Sequence, residues 1–284
     1  MCKISDLLRF IIFADDTNIF CIDKDSNVLI ERLNKELVKL TEWFKVNKLS
    51  LNVKKSNYMV FGNRGVNKAD IRLNGIMLEK VLFTKFLGVL IDYQLNWCTH
   101  IQTTCGKIAK VIGVMFKIKN KIDSATLCMI YNSLILPYLS YCCEIWGNTF
   151  VSRLHGLKLL QKRAIRIIGN VSYLDHTSMI FKRFNILKLQ DIITLNTCVL
   201  MYKANRGSLP KHVQNNFVKN KEIHGYNTRC RNNFYSSQIS TRLKKMSVTQ
   251  KGIDIWNVLP LNTRQCVSLN KFKMCIKKDM LNKY

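Results

Sequence analysis

Two adjacent aspartates, Asp15 and Asp16, lie between two short apolar runs near the start of the chain. Residues 10–13 and 19–22 are apolar and favour β-strands, so the polar residues 15–18 between them predict the tip of a β-hairpin. Adjacent carboxylates repel each other, and a hard divalent cation that prefers carboxylate oxygen removes that repulsion. The pattern therefore indicates a metal-binding hairpin or, as the alternative, a polar loop with two solvated aspartates.

Three sequence segments follow one another after this point: FADD at 13–16, LSLNVKKSNYMVF at 49–61 and TKFLGVLID at 84–92. In this order and spacing they resemble the back half of the palm domain in reverse transcriptases of non-LTR (LINE-type) retrotransposons. FADD resembles the central metal-binding box of that family, the second segment its lysine-bearing box, and the third its primer-grip hairpin. The segments HGYNTRCR at 224–231 and GIDIWNVLP at 252–260 also resemble the tails of these polymerases.

The resemblance implies an RNA-directed DNA polymerase that works on an RNA template and a DNA primer or target. Nucleotidyl transfer would then use two Mg²⁺ ions roughly 4 Å apart, with Asp15 as a metal ligand and Asp16 completing or orienting the site. Lys55 would approach the leaving pyrophosphate, and a surface lysine without such a role is an equal alternative. The primer end would be held by Lys85, Phe86, Leu87 and Gly88. Gly88 suits this role because a close backbone approach to nucleic acid excludes a side chain.

The same resemblance implies that this chain holds only part of an active site. The family's palm carries a third carboxylate on a strand well upstream of FADD, and its fingers close over the nucleotide. This chain begins twelve residues before Phe13, and Asp6 does not match that carboxylate. Because losing a metal carboxylate costs orders of magnitude in rate, we expect a fragment that is inactive without the N-terminal polymerase portion. We also expect the apolar edge of the Asp15 hairpin to be left open.

The composition describes a globular and strongly basic chain. Of its 284 residues 48% are hydrophobic, and 45 Lys and Arg against 18 Asp and Glu give a net charge of +27. Residues 1–100 carry 15 basic and 11 acidic groups, whereas residues 101–284 carry 30 and 7. Such a surface repels itself unless a polyanion shares it. Nucleic acid is therefore the first candidate partner, and an anionic membrane is the second.

The cysteines and the apolar runs bear on the compartment. Eleven cysteines form no CxxC pair, and the five histidines do not combine with them at zinc-ligand spacing, so we expect reduced structural thiols. Residues 1–6 lack the pattern of a signal peptide, and no apolar run reaches the ~18 residues of a membrane span. The sequence thus predicts an intracellular protein of the nucleus or cytoplasm, without a membrane.

Apolar periodicity predicts an α+β fold in which a partial polymerase palm precedes a mainly helical thumb and C-terminal region. In residues 1–95 we expect a helix capped by Asp25 or Ser26 behind the Asp15 hairpin, a strand at 57–61, a type I′ hairpin turning at Asn74-Gly75 and a strand at 83–91. In residues 96–205 we expect helices at 98–120, 123–146, 152–169 and 187–205, with a kink or break at Pro137. Residues 206–284 form a basic C-terminal region.

Two segments are candidates for binding nucleic acid. In the helix at 152–169, Leu157, Leu160, Ala164, Ile167 and Ile168 can share a buried face, while Lys158, Lys162, Arg163 and Arg166 gather on the rest. Such a helix can lie along a duplex backbone or a membrane surface. In the segment 224–235, Arg229 and Arg231 can pair with phosphate. There, Tyr226 and Phe234 either stack on unpaired bases or lie in the core. Further on, a helix that Pro260 ends would bury Trp256.

Three hypotheses follow for the function. The first is a reverse-transcriptase fragment, with two-metal chemistry in the complete enzyme. The second is a basic nucleic-acid-binding remnant without catalysis, whose salt-sensitive binding would be indifferent to Asp15 and Asp16. The third is a membrane-surface protein built on basic amphipathic helices. We rank them in that order.

Overall fold

The computed structural model describes residue 5, residues 7–62 and residues 69–284. The chain divides into two compact units, residues 1–96 and residues 97–284, called here the N-terminal and C-terminal units. The expectations about Asp6 and about a leader at residues 1–6 fall on positions that lie outside the described residues, apart from residue 5. The three-part division at residues 95 and 205 stays a prediction.

The N-terminal unit combines one long helix with short strands. Its helices and strands are β1 Arg9–Phe13, β2 Asp16–Phe20, α1 Ser26–Val46, a 3₁₀ turn Val53–Lys55, β3 Asn57–Tyr58, β4 Arg72–Leu73, β5 Ile76–Met77, β6 Glu79–Lys80, β7 Phe83–Phe86 and β8 Val89–Asp92. The strands form four two-stranded sheets in the described residues: β1–β2, β4–β5 and β7–β8 are antiparallel, and β3–β6 is parallel. Together with the helices of the C-terminal unit, this makes the fold α+β.

Helix α1 begins where the sequence predicts. The Asp25 carboxylate accepts hydrogen bonds from the backbone N–H groups of Asn27 and Val28, so it satisfies donors that the first turn leaves unpaired. Its buried residues Leu37 and Leu40 belong to one apolar cluster, the N-terminal cluster, with Ala69, Ile71 and Leu73. Phe10 and Ile19 of the β1–β2 hairpin pack against this cluster. The helix and the hairpin therefore share one apolar cluster, and the expectation that the helix lies behind the hairpin stays a prediction.

The turns of this unit follow from backbone dihedral angles. Asn74 and Gly75 have φ values of +54° and +77°, the double positive φ of a type I′ hairpin, as predicted.

The predicted strand at 57–61 is wrong in length. Only Asn57 and Tyr58 are strand, and they pair with β6 in parallel, a pairing far along the chain that local periodicity does not signal.

The C-terminal unit is helical. Its elements are α2 Cys98–Ile118, α3 Ser124–Ile130, a π-helical turn Tyr131–Ile135, α4 Leu136–Ser140, α5 Cys143–Trp146, α6 Val151–Gly169, α7 Ser178–Arg183, α8 Leu189–Asn205, α9 Lys211–Gln214, α10 Asn220–Ile223, α11 Arg242–Met246, α12 Val248–Val258, α13 Leu261–Arg264 and α14 Leu269–Asn282. Within the described ranges, no helix is both long and apolar enough to cross a membrane.

The predicted irregularity at Pro137 takes a specific form. A π-helical turn precedes the proline, which lies in the first turn of α4 and does not end the helix. A wider turn tolerates the missing proline N–H, because fewer of the usual i to i−4 bonds are required. The helix ends instead after Ser140, because Tyr141 has an extended backbone and Cys142 has φ +50°.

Two apolar clusters hold the C-terminal unit together. The larger one surrounds α2, α6 and the first half of α8, and the smaller one gathers the end of α8 with α12 and α14. Gln161 is 1% exposed in the larger cluster and has three partners. Its Nε2 donates to Tyr131 Oη (2.8 Å) and to the Leu187 carbonyl (2.9 Å), and its Oε1 accepts from the Leu189 N–H (2.8 Å). The side-chain amide thus joins α6, the π-helical turn and the start of α8.

Candidate active site and nucleic-acid-binding surface

The β1–β2 hairpin turns one residue earlier than the sequence predicts. Phe13 pairs with Asp16, so the loop consists of Ala14 and Asp15 alone, and Ala14 has φ +51°. The predicted tip at 15–18 is therefore wrong for Asp16 and the next two residues, which lie in β2. The cause is the cross-strand register, which follows from the packing of Phe10 and Ile19 on the N-terminal cluster. Asp15 thus lies in the turn, and Asp16 opens the second strand.

Both aspartates of the hairpin are exposed to solvent. In the described part of the chain, neither makes an ion pair or a side-chain hydrogen bond. Their four carboxylate oxygens are hard ligands of the kind that Mg²⁺ binds in proteins. The donor chemistry therefore fits a divalent cation.

The number of donors is smaller than a two-metal site requires. Among the residues that the structure describes, no group of three or more His, Cys, Asp or Glu side chains could hold a metal ion. Asp15 and Asp16 come from one hairpin, so they approach a cation from one side only. They can supply part of a metal site, and the remaining ligands have to come from elsewhere.

The hairpin has a second, apolar surface. Alternate residues of a strand face opposite sides, so Ile11, Phe13 and Phe20 lie on the face turned away from Phe10 and Ile19. Ile11 is 46%, Phe13 58% and Phe20 41% exposed. Within the described residues β1 and β2 pair only with each other. The expected open apolar edge is therefore present.

Lys55 lies at the end of the 3₁₀ turn and is exposed. The described residues offer it no ion pair and no hydrogen bond from its ammonium group. Val53 and Tyr58, on either side of it, pack against the N-terminal cluster, as Phe10 and Ile19 do. One apolar cluster therefore anchors both the lysine-bearing segment and the aspartate hairpin.

Residues 85–88 lie on a hairpin of their own, β7–β8, in which Lys85 pairs with Leu90 and Phe86 with Val89. Lys85 is exposed, and the Phe86 side chain is half-buried. Leu87 and Gly88 form the turn with φ +45° and +87°, again the type I′ pattern. The turn gives a reason for a glycine at position 88 that the sequence did not suggest. This position needs a positive φ, which glycine adopts without strain.

Helix α6 has the two faces that its sequence predicts. Leu157, Ala164, Ile167 and Ile168 are buried and Leu160 packs partly buried beside them. The basic residues Lys158 and Arg163 are exposed, and Lys162 and Arg166 are half-buried. None of these four makes an ion pair with a residue that the structure describes.

Arg166 differs from the other three basic residues of α6. Its Nε donates to the Asp175 carbonyl oxygen at 3.1 Å, and its guanidinium group lies over the Tyr173 ring at 5.5 Å. It therefore holds the loop after α6, and only Lys158, Lys162 and Arg163 remain wholly available to a ligand.

The segment 224–235 separates its two aromatic residues. Phe234 is 1% exposed and packs in the smaller apolar cluster, so it cannot stack on a base, whereas Tyr226 is 76% exposed. The core position is therefore confirmed for Phe234, whereas base stacking by the exposed Tyr226 stays a prediction. Arg229 and Arg231 are exposed and make no ion pair in the described residues.

The sequence analysis missed a cation–aromatic contact in the C-terminal unit. The guanidinium groups of Arg153 and Arg242 lie over the Phe150 ring at 5.0 and 3.9 Å. Arg153 is three residues away, a spacing that a helix start could have suggested. Arg242 is far along the chain, and no local pattern signals its position.

Comparison with known proteins identifies the relatives of this chain. It is 25% identical over 183 residues to the RNA-directed DNA polymerase from mobile element jockey of Drosophila melanogaster, which is 63% of this chain and 20% of that protein. The probable RNA-directed DNA polymerase from transposon BS of the same species is 24% identical over 65% of the chain and 21% of its own length. The chain is a relative of non-LTR retrotransposon polymerases.

A third relative agrees with this relationship, and two further comparisons find no match. The Pol polyprotein from type-1 retrotransposable element R1 of Bradysia coprophila is 26% identical over 55% of the chain and 16% of its own length. The chain thus spans about a fifth of the length of the curated relatives it matches. No protein-family model and no solved structure matches it. The resemblance seen in the sequence is confirmed, and a binding module without catalysis is not the hypothesis that these relatives favour.

Proposed function

We propose that this chain is the C-terminal part of an RNA-directed DNA polymerase of a non-LTR retrotransposon. Residues 1–95 would end its palm, residues 96–205 would form the thumb and its extension, and residues 206–284 a basic C-terminal region. The observation that carries the proposal is the β1–β2 hairpin, which presents Asp15 and Asp16 at and beside its turn, with no ion pair to any residue that the structure describes. The named relatives, all polymerases of mobile elements, support it.

Asp15 and Asp16 would hold divalent metal, taken to be Mg²⁺, because their exposed oxygens suit a hard cation. When bound, such ions activate the primer 3′-hydroxyl and neutralise charge on the nucleotide triphosphate. Asp15, in the turn, is the more freely placed ligand. Asp16 is fixed by its strand pairing with Phe13 and would complete or orient the site.

Two further elements of the N-terminal unit would position the substrates. The exposed ammonium group of Lys55 would approach the leaving pyrophosphate, carried by a segment that shares an apolar anchor with the aspartate hairpin. The β7–β8 hairpin would hold the primer end with Lys85 and the tip formed by Leu87 and Gly88, and Phe86 would fix the hairpin by packing.

The C-terminal unit would grip the RNA template and the DNA primer or target through their phosphates. Residues 97–284 hold 30 basic groups and 7 acidic ones. On α6, Lys158, Lys162 and Arg163 have no carboxylate partner among the residues that the structure describes, so their charges are not neutralised there. Arg229 and Arg231 extend the same chemistry to the loop at 224–235.

The site as described lacks a third carboxylate, so we propose that chemistry requires a further polymerase segment that supplies it. Each missing donor leaves transition-state charge unneutralised, which costs orders of magnitude in rate. The exposed apolar face of the hairpin at Ile11, Phe13 and Phe20 is suited to pack against such a segment.

The test is binding and primer extension by the purified 284-residue chain. We expect it to bind a primer–template duplex and, with Mg²⁺ and nucleotides, to extend the primer at no more than background. Asp15→Ala should leave binding unchanged, as should Asp70→Ala, which removes an exposed aspartate outside the hairpin. Extension abolished by Asp15→Ala but not by Asp70→Ala would overturn the claim of an incomplete site. Failure to bind any nucleic acid would contradict the proposal as a whole.

A further inference from the structure

The loop between α6 and α7 carries two exposed apolar side chains at its tip. Tyr173 is 75% and Leu174 85% exposed. They are the central residues of a turn in which the Asp175 N–H donates to the Ser172 carbonyl at 3.2 Å. In return, the Ser172 N–H donates to Asp175 Oδ2 at 2.8 Å. The turn is thus closed by two hydrogen bonds, and it presents the two apolar side chains to solvent.

Both ends of this loop are tied to the helices. Asn170, at the end of α6, has φ +48°, and its N–H donates to the Ile167 carbonyl at 3.2 Å. The Val171 N–H donates to the Arg166 carbonyl, also at 3.2 Å. These two bonds are those of a Schellman motif, which sets the direction in which the chain leaves a helix. Thr177, just before α7, is 6% exposed, so the loop has a fixed path between the two helices.

Arg166 joins the helix to the tip of the loop. Its Nε donates to the Asp175 carbonyl at 3.1 Å, and its guanidinium group lies over the Tyr173 ring at 5.5 Å. The cation covers one face of the ring, and an exposure of 75% leaves the other face to solvent. A ring that is already held in place loses little conformational freedom when a flat ligand stacks on it.

The basic residues of α6 lead toward this ring. Lys158, Lys162 and Arg166 follow one another at intervals of four residues, and each interval advances ~6 Å along the helix and turns ~40° around it. They therefore form one stripe, and Lys158 and Lys162 have no ion pair with a residue that the structure describes. A nucleic-acid strand whose phosphates follow the stripe arrives at the Tyr173 ring. Cations along a backbone with an aromatic ring beside them are typical of surfaces that bind unpaired bases.

An anionic membrane is a less suitable partner for this surface. Amphipathic helices bind membranes through a free apolar face, and that of α6, at Leu157, Ala164 and Ile168, is buried in the larger cluster. Insertion of the tip into lipid would also carry the charged Asp175 into a region of low dielectric. A base can stack on Tyr173 without burying that carboxylate.

We propose that Tyr173 and Leu174 bind an unpaired nucleobase next to a duplex whose phosphates lie along α6. The base stacks on the open face of the Tyr173 ring, and Leu174 packs against its edge. Every base has a flat π face, so this contact is indifferent to sequence. The inference rests on the proposed nucleic-acid-binding function and adds to it a site for the single-stranded end of a primer or template.

The test compares the affinities of the full chain for a blunt duplex and for the same duplex with a short unpaired overhang, measured by fluorescence anisotropy at one salt concentration. Wild type should bind the overhang duplex more tightly. Tyr173→Ala should lower that preference at least about fivefold, the low end of base–aromatic stacking, and leave the affinity for the blunt duplex unchanged. Tyr173→Phe keeps the ring and should keep the preference. A 2-aminopurine at the first unpaired position should be quenched by wild type and Tyr173→Phe but not by Tyr173→Ala.

Matched variants separate the loop from general effects. Tyr138→Ala removes another exposed tyrosine with a cation over its ring, the Lys107 ammonium group at 5.3 Å, and should keep the overhang preference. Arg166→Lys keeps the charge but loses the planar group over Tyr173 and the bond from Nε to the Asp175 carbonyl. It should lower the preference by less than Tyr173→Ala does. Circular dichroism checks the fold, which should persist because both tyrosine side chains are exposed.

The outcomes distinguish this inference from the proposed function. A preference lost with the quenching in Tyr173→Ala, and kept in Tyr173→Phe and Tyr138→Ala, supports the inference. If wild type binds both duplexes equally, or if Tyr173→Ala keeps the preference or Tyr138→Ala loses as much of it, the loop does not bind a base. If Tyr173→Ala weakens only pelleting with phosphatidylcholine–phosphatidylserine vesicles, the tip contacts lipid and the inference is wrong. If the chain binds no nucleic acid, the proposed function fails and this inference fails with it.

Discussion

Removing the unpaired basic groups of α6 should lower the salt dependence of nucleic-acid binding. The triple variant Lys158→Gln, Lys162→Gln, Arg163→Gln deletes three cations that have no carboxylate partner in the described chain. Arg166 stays, because its guanidinium group already holds the Asp175 carbonyl and the Tyr173 ring. The substitutions leave the buried face of the helix unchanged, so the fold should persist.

The size of the effect follows from helix geometry and counterion release. Lys158 and Lys162 are four residues apart, ~6 Å along the helix axis, which is enough for each to meet its own phosphate, and Arg163 projects ~100° further around the helix, toward a third phosphate. Each phosphate contact contributes about 0.9 to the slope of log K against log salt, so three contacts contribute about 2 to 3. Over a fourfold rise in salt, the affinity of the wild type should then fall about 40-fold more than that of the variant.

A second triple variant serves as the matched control. Arg32, Lys35 and Lys39 lie on α1 and are paired with Asp23, Glu31 and Glu36 at 3.0, 2.6 and 2.7 Å. Changing these three to Gln alters the net charge by the same amount, but these groups are already compensated by their partners. The slope of log K against log salt should therefore change by less than the ~0.9 that one phosphate contact contributes.

The assay is anisotropy of a labelled duplex titrated with protein at several salt concentrations. If both triple variants lower the slope equally, only net charge matters and α6 has no special role. If the α6 triple keeps the wild-type slope, the helix does not contact phosphate and the reasoning from its unpaired charges is refuted.

Two further predictions concern the core of the C-terminal unit. Gln161→Leu leaves the Leu189 N–H, the Leu187 carbonyl and Tyr131 Oη without their partner. The free energy of unfolding, measured in urea, should therefore fall by about 3–5 kcal/mol, whereas Gln190→Leu, at an exposed position, should cost less than 1 kcal/mol. Similar losses for the two variants would contradict this prediction. Burial raises the pKa of Tyr131 from 10.0 to about 12, so its contribution is complete below pH about 10 and is lost as pH rises toward about 12. Across that window wild type should lose about 2–3 kcal/mol relative to Tyr131→Phe, and a constant difference would refute the assignment.

Much of the N-terminal unit could be predicted because its signals are local. The Asp25 cap, the periodicity of α1 and the Asn74-Gly75 turn each depend on residues within a few positions of one another. The resemblance to non-LTR polymerases likewise depended on short segments in order, and the comparisons confirm it. The two-faced pattern of α6 was visible for the same reason.

The candidate sites were predicted less completely. The sequence located Asp15 and Asp16 on a hairpin but placed the turn wrongly, because register depends on which residues pack against the N-terminal cluster. It also could not separate Phe234, in the core, from Tyr226, in solvent. Burial of a residue in a loop depends on partners far along the chain.

By itself, then, the sequence determined the kinds of elements, their order, the excess of positive charge after residue 100 and the polymerase-like segments, because composition and short-range periodicity carry that information. Only the tertiary structure decided the parallel pairing of β3 with β6 and the three hydrogen bonds of Gln161. Each of these features joins residues that are more than 20 positions apart in the sequence. Their formation depends on the packing of whole elements, which no window of neighbouring residues records.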